Sequence, residues 1–121
     1  MRRTFTLLTI ALAVFAAAAQ GQEAPRLDGA DLLVDLAKYA GHQVIIKNVS
    51  VWGADNDGAL GRAGGVTLKI TTTGIDPETF RYMLKNCASS SDSCNVRLLL
   101  ATPTGDKRAG WPLLAGVKII E

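Results

Sequence analysis

The sequence predicts a mainly β domain with two helices, folded as a small Greek-key barrel with a disulfide-closed loop. Three observations carry this. Four stretches beyond residue 43 are β-branched or alternate apolar with polar residues: 44–52, 66–71, 94–102 and 111–120. A strongly signalled helix, opened by Asp76-Pro77-Glu78, stands before the last two of them. The first stretch is long and changes its apolar phase near Lys47-Asn48, which predicts a bulge where a strand bends between two sheets. The alternative architecture is another small β-rich α+β fold with the same helices.

The chain begins with Arg2 and Arg3, an uncharged apolar run from Phe5 to Ala16, and then Ala17, Ala18, Ala19, Gln20 and Gly21. A basic start, an apolar middle and a small-residue end make residues 1–21 a secretory signal peptide, with cleavage expected after Ala19 or Gly21. The apolar run is shorter than the roughly 20 residues a membrane span needs. Arg2-Arg3-Thr4-Phe5 matches a twin-arginine signal only in part, so ordinary Sec export is expected. No Cys stands at the cleavage site to carry a lipid. The expected location is periplasmic or secreted, with no membrane span after cleavage.

Residues 22–30 read as a flexible lead and residues 31–121 as one domain. Asp28 to Ala40 reads as a helix, capped by Asp28 or Asp31 and ended by Gly41. Its apolar stripe is Leu32, Leu33, Leu36, Ala37 and Ala40. The strand 44–52 follows. Gly53 to Gly65, with Asp55-Asn56-Asp57-Gly58 and five glycines, reads mostly as turn and loop. Val66, Leu68 and Ile70 alternate with polar residues in a half-buried strand. In the Asp76 helix, Phe80, Met83, Leu84 and Cys87 share one face. Cys94 to Thr102 reads as a strand with Val96, Leu98 and Leu100 on one face. Pro103 to Gly110 reads as a loop. Leu113, Ala115, Val117 and Ile119 are in phase in the last strand.

This order, with a helix before the last two strands and a long bent first strand, is that of the oligonucleotide/oligosaccharide-binding (OB) fold. The residues Tyr39 to Ile46, the Asp76 helix ending at Cys87, Cys94 to Leu98, and Gly110 to Ala115 leading to Val117 and Ile119 make the chain resemble small exported bacterial OB-fold-like proteins. The resemblance covers about Leu32 to Glu121 and rests on structural rather than catalytic motifs. An OB barrel has three strands before its helix and the sequence displays two clearly. The third is therefore expected within Trp52 to Gly65.

Charge and composition narrow the partners. The chain has 13 Lys+Arg against 11 Asp+Glu, and removing Arg2 and Arg3 leaves 11 against 11. A neutral domain lacks the electrostatic term that dominates nucleic-acid affinity, so nucleic acid is not an expected partner. Cys87 and Cys94 are the only cysteines. In an oxidising compartment they are expected to pair, since redox chemistry usually uses Cys-x-x-Cys and the chain has one His, too few for a zinc site. His42, at the helix-to-strand turn, reads as a turn histidine. Placing Gly58 at the invariant glycine of a calcium loop puts glycines at both terminal ligand positions, so Asp55-Asn56-Asp57-Gly58 reads as a tight hairpin turn. The glycines 58, 61, 64 and 65 do not form a dinucleotide fingerprint, Asn48-Val49-Ser50 is a glycosylation sequon by letters only, and no nucleophile motif is present.

The expected function is therefore a non-catalytic binding or interaction module with no cofactor and no metal, taking an oligosaccharide, a peptide or a protein. OB folds grip ligands between the loops after their first and fourth strands. Here that places the candidate ligand residues at Trp52, Arg62, Lys69, Lys107, Arg108 and Trp111, the tryptophans either stacking on a ligand or plugging the barrel ends. The alternatives are a structural accessory subunit of a larger envelope complex, docking through the Asp28 helix or a sheet edge, and, more distantly, a small hydrolytic enzyme.

Overall fold

Six strands and three short helices make up the computed structural model, which describes residues 24–89 and 91–121. The expected signal peptide and its cleavage site lie outside the described residues. In chain order the elements are β1 (Arg26–Leu27), α1 (Gly29–Val34), α2 (Leu36–Tyr39), β2 (Val44–Asp55), β3 (Gly58–Ala63), β4 (Val66–Ile70), α3 (Pro77–Asn86), β5 (Cys94–Arg108) and β6 (Trp111–Ile119). The neighbours run β2-β3-β4-β6-β5, and β5 pairs back onto β2. Five strands therefore close into a barrel of OB-like order, with β4 and β6 the one parallel pair among them.

The strand missing from the sequence reading is β3. The stretch 53–65 is a hairpin rather than a loop. Its glycines hid it, because glycine is depleted in strands. They are there for backbone reasons. Gly58 has φ +113, and a side chain on it would collide with the Ile70 carbonyl. A methyl on Gly61 would come within 2.9 Å of Val49 Cγ1. The two-residue turn Asn56-Asp57 joins Asp55 to Gly58, as the hairpin reading requires, and Asp55 Oδ1 accepts the Asp57 N–H at 2.8 Å. The stretch 103–110 is likewise strand: β5 runs to Arg108 and turns through Ala109 (φ 55) and Gly110 (φ 83) into β6. Two positive φ values in a two-residue turn match the twist of a hairpin.

The expected phase slip in β2 is present but has another cause. Val44, Ile46, Val49 and Val51 are buried while Lys47 and Asn48 are both exposed. The β2–β5 register is the same on both sides, Lys47 opposite Leu98 and Val49 opposite Val96. No residue is inserted there. Instead Asn48 takes φ 54, the left-handed region that Asn tolerates better than most residues. The bulge lies further on, where Gly53 (φ 66) and Ala54 oppose only Ala59 between the pairs Trp52–Leu60 and Asp55–Gly58.

Because β5 bends with β2, its inward face changes too. Cys94 and Val96 are buried, then Leu99, Ala101 and Pro103, rather than Leu98 and Leu100. In β6 the inward residues are Pro112 and Leu114, then Val117, with the phase reset near Gly116 (φ 58). Leu113 and Ala115 are thus not core residues as expected.

The barrel interior holds Val44, Ile46, Val49, Val51, Leu68, Ile70, Leu99, Leu114 and Val117. Each such side chain contributes roughly 1.5–3 kcal/mol when fully buried. Leu32 and Leu36 complete the core from α1 and α2, which are two short helices broken at Asp35 rather than one. Ala37, placed on the expected stripe, is exposed. Part of the expected flexible lead is ordered: Arg26 and Leu27 pair in parallel with Ile45 and Ile46, and Leu27 is buried. Asp28 caps α1 by accepting the Asp31 N–H at 2.8 Å.

Helix α3 begins as its sequence requires. Asp76 Oδ2 accepts the Thr79 N–H and the Thr79 hydroxyl, both at 3.0 Å. The Thr79 N–H bond holds the Asp76 carboxyl below its ordinary value, with the Thr79 hydroxyl and nearby Lys118 acting in the same direction. The Thr79 hydroxyl oxygen in turn accepts the Ile119 N–H at 2.9 Å, fixing the helix start to β6. The buried face of α3 is Thr79, Met83 and Cys87; Phe80 is half-buried and Leu84 exposed, so the helix is rotated relative to the expected face. Cys87 and Cys94 are joined by the expected disulfide, with Cα atoms 5.3 Å apart. It ties the end of α3 to the start of β5.

Candidate functional site

The barrel register sets one row of outward side chains across four strands. Trp52 lies opposite Leu60, Leu60 opposite Lys69, and Lys69 beside Leu113. All four are half-buried. Two residues along, a second row holds Ser50, Arg62 and Thr67 on the same face, with the Arg62 guanidinium donating to Thr67 Oγ1 at 3.3 Å. Strand pleating puts these rows about 7 Å apart.

Beside the first row lies a cleft of about 580 Å³. Its walls are the two hairpins. Asp55 and Asp57 come from the β2–β3 turn, and Thr104, Asp106 and Arg108 from the end of β5. Lys69, Leu113 and the segment Thr71-Thr72-Thr73 line the space between. That segment is held along β6. Leu114 O accepts both the Thr71 N–H (3.0 Å) and the Thr71 hydroxyl (2.8 Å), and the Gly116 N–H donates to Thr73 O at 2.8 Å. On the far side, the Asp106 N–H donates to Thr104 Oγ1 at 3.2 Å.

Of the six residues expected at a ligand face, Lys69 and Arg108 line this cleft. Trp52 shares its row with Lys69, two strands away. Trp111 is paired with Arg108 across the β5–β6 turn and is 37 % exposed. Neither tryptophan belongs to the buried core, so neither plugs the barrel. Arg62 is on the same outer face but in the second row, engaged with Thr67. Lys107 pairs with Pro112, one position from the Arg108–Trp111 pair, so pleating sends it to the alternate face. Asp55 and Asp57, which the sequence marks as turn residues, and the threonines 71–73, which no motif marks, also line the cleft. Their signal was topological: only once 53–63 is known to be a hairpin does its turn come to face Thr71-Thr72-Thr73.

The chemistry on offer is polar recognition. The cleft's carboxylates and Arg108 are exposed and Lys69 is half-buried. Among the described residues no three His, Cys, Asp or Glu converge as a metal site. His42 is exposed in the turn before β2, its backbone N–H donating to Tyr39 O at 3.0 Å.

A second concavity, about 560 Å³, lies between α3 and the β5–β6 sheet. Val96, Ile119 and Tyr82 supply its apolar surface, and Asp76, Glu78, Lys118 and Glu121 stand around it. Tyr82, which lines it, is 47 % exposed.

No family model matches the sequence, no curated protein matches it, and no solved structure matches the fold.

Proposed function

We propose that this chain is a non-catalytic binding module of the periplasm or the extracellular space, and that its ligand occupies the cleft between the β2–β3 and β5–β6 hairpins. The observation that carries the reading is the convergence, on the outer face of a closed OB-like barrel, of the β2–β3 turn and the end of β5, with Arg108, around Lys69. This is where such barrels commonly hold ligands. The Cys87–Cys94 disulfide suits an oxidising compartment, and no helix among the described residues is long and apolar enough to cross a membrane. The export reading rests on residues 1–21 and is checked by the mass of the exported protein. A retained Met1 to Ala16 segment would overturn it.

The site is tested by recovering the tagged protein from the exported fraction and identifying by mass spectrometry what it retains. Replacing Lys69 and Arg108 together with Ala should leave folding nearly intact, since neither is ion-paired, and should abolish retention. The apolar concavity beside α3 favours a second reading, an accessory subunit of an envelope complex. Retention that survives in the Lys69→Ala, Arg108→Ala variant but is lost on Tyr82→Ser would replace the first reading with the second.

A further inference from the structure

We infer that the cleft takes an oligosaccharide that is neutral or amine-bearing and rejects polyanionic ones; this rests on the cleft being the ligand site. The first ground is charge. Asp55, Asp57 and Asp106 outnumber Lys69 and Arg108 around the cleft. The ion pairs among the described residues are Arg81–Glu78 and Arg97–Glu121, both elsewhere. The five cleft charges are therefore not neutralised by one another at contact distance, and their hydrogen-bonding capacity is left for a guest. Only Asp55 spends part of it, on the Asp57 N–H. A sulfated or phosphorylated chain would bring its negative charge against three carboxylates.

The second ground is direction. The cleft crosses from the β2–β3 turn over the end of β4 to β6 and β5, so it runs across strands rather than along an open edge. Peptides that bind by adding a strand need such an edge for their main-chain hydrogen bonds. A ligand lying across strands meets side chains instead. Those present suit a hydroxyl-rich guest. Carboxylates accept from sugar hydroxyls or an ammonium, Arg108 and Lys69 donate to ring and hydroxyl oxygens, and Leu113 offers an apolar surface for the C–H face of a ring. Leu60 and Trp52 continue the Lys69 row outward and give a longer chain a place to lie.

The experiment is an amide-shift titration of the 15N-labelled protein with three hexasaccharides: glucosamine (cationic), N-acetylglucosamine (neutral) and a sulfated glycan (polyanionic). Affinity should fall in that order, with the shifts centred on Asp57, Thr72 and Arg108. Replacing Asp57 and Asp106 together with Asn should weaken the glucosamine oligomer about tenfold and narrow the gap to the sulfated one. The inference is overturned if the sulfated glycan binds tightest, if the Asn variant leaves the gap between the glucosamine and sulfated oligomers unchanged, or if none of the three moves the cleft amides. In the last case the site itself is judged separately, by whether the Lys69→Ala, Arg108→Ala variant loses its retained molecule.

Discussion

Asn48 shows how much of this barrel depends on one backbone angle. At φ 54 it lets β2 turn its apolar face without inserting a residue, so that Val44 and Ile46 and then Val49 and Val51 all reach the core. A β-branched residue resists that region far more than Asn does, and Gly far less. Asn48→Val should therefore cost roughly 1–2 kcal/mol, while Asn48→Gly should be nearly neutral. Chemical denaturation of both variants checks this; equal losses would mean that the Asn side chain, not the angle, is what matters. Asp76 gives a second test at the same scale, through pH. Its folded-state carboxyl titrates below the ordinary value of 3.8, chiefly through the Thr79 N–H. A depressed folded value means that the charged cap stabilises the fold above the ordinary value, and that this contribution is lost as pH falls through the folded one. Asp76→Asn keeps an acceptor oxygen but not the charge. Its denaturation midpoint should lie below that of the parent at pH 7 and converge with it in strong acid, whereas a gap that does not change with pH would remove the charge from the account.

At the scale of elements, the disulfide has the clearest expected consequence. It bridges a sequence separation of 7, from the end of α3 to the first residue of β5. Closing so short a loop restricts the unfolded chain by roughly 2.5 kcal/mol. Replacing both cysteines with Ser should lower stability by about 2–3 kcal/mol with the barrel retained, read from urea midpoints and a far-ultraviolet spectrum like that of the parent. Full alkylation of both thiols in the exported protein without prior reduction would refute the bridge. The elements that the sequence disclosed are those with local chemistry: the Asp76-Pro77 start of α3, the alternation of β4, the Asn56-Asp57 turn and the cysteine pair. Those it concealed depend on partners. β3 is Gly-Ala-Leu-Gly-Arg-Ala and owes its extended form to pairing with β2 and β4 on either side. The end of β5 carries Pro103, Gly105 and a charged run, so it looks like a loop until β6 pairs with it. The inward faces of β5 and β6 differ from their alternation because a strand that bends with its neighbour changes face where its own sequence gives no warning. The site suffered in proportion. Lys69 stands on a strand whose plain alternation sets it on the outer face, while Asp57 and Thr72 come to line one cleft only through a hairpin that its glycines conceal.

The whole molecule brings together a barrel type associated with oligonucleotides and a charge distribution that opposes them. Beyond Gly21 the sequence carries 11 cations and 11 anions, so no general field draws in a polyphosphate. Locally, the face that would hold single strands presents Asp55, Asp57 and Asp106 against Lys69 and Arg108. A stacking platform is thin as well: Trp52 and Trp111 stand at different places on the barrel, one on the Lys69 row and one at the β5–β6 turn, where successive bases would need neighbouring rings. The cationic side chains Arg26, Lys47 and Arg97 gather instead around a separate hollow beside Asn48, where Arg97 is already 3.1 Å from Glu121. Counterion release from phosphates scales with the number of cations that reach them, and here few reach a common track. A short oligothymidylate should accordingly show no saturable binding below about 100 µM at physiological salt, measured by fluorescence anisotropy. Substituting Asp55, Asp57 and Asp106 together with Asn should raise that affinity measurably if the carboxylates are what exclude the strand. Sub-micromolar binding by the unaltered protein, falling steeply as salt rises, would show instead that the cations around Asn48 act as a nucleic-acid surface and that net neutrality is a poor guide to this molecule.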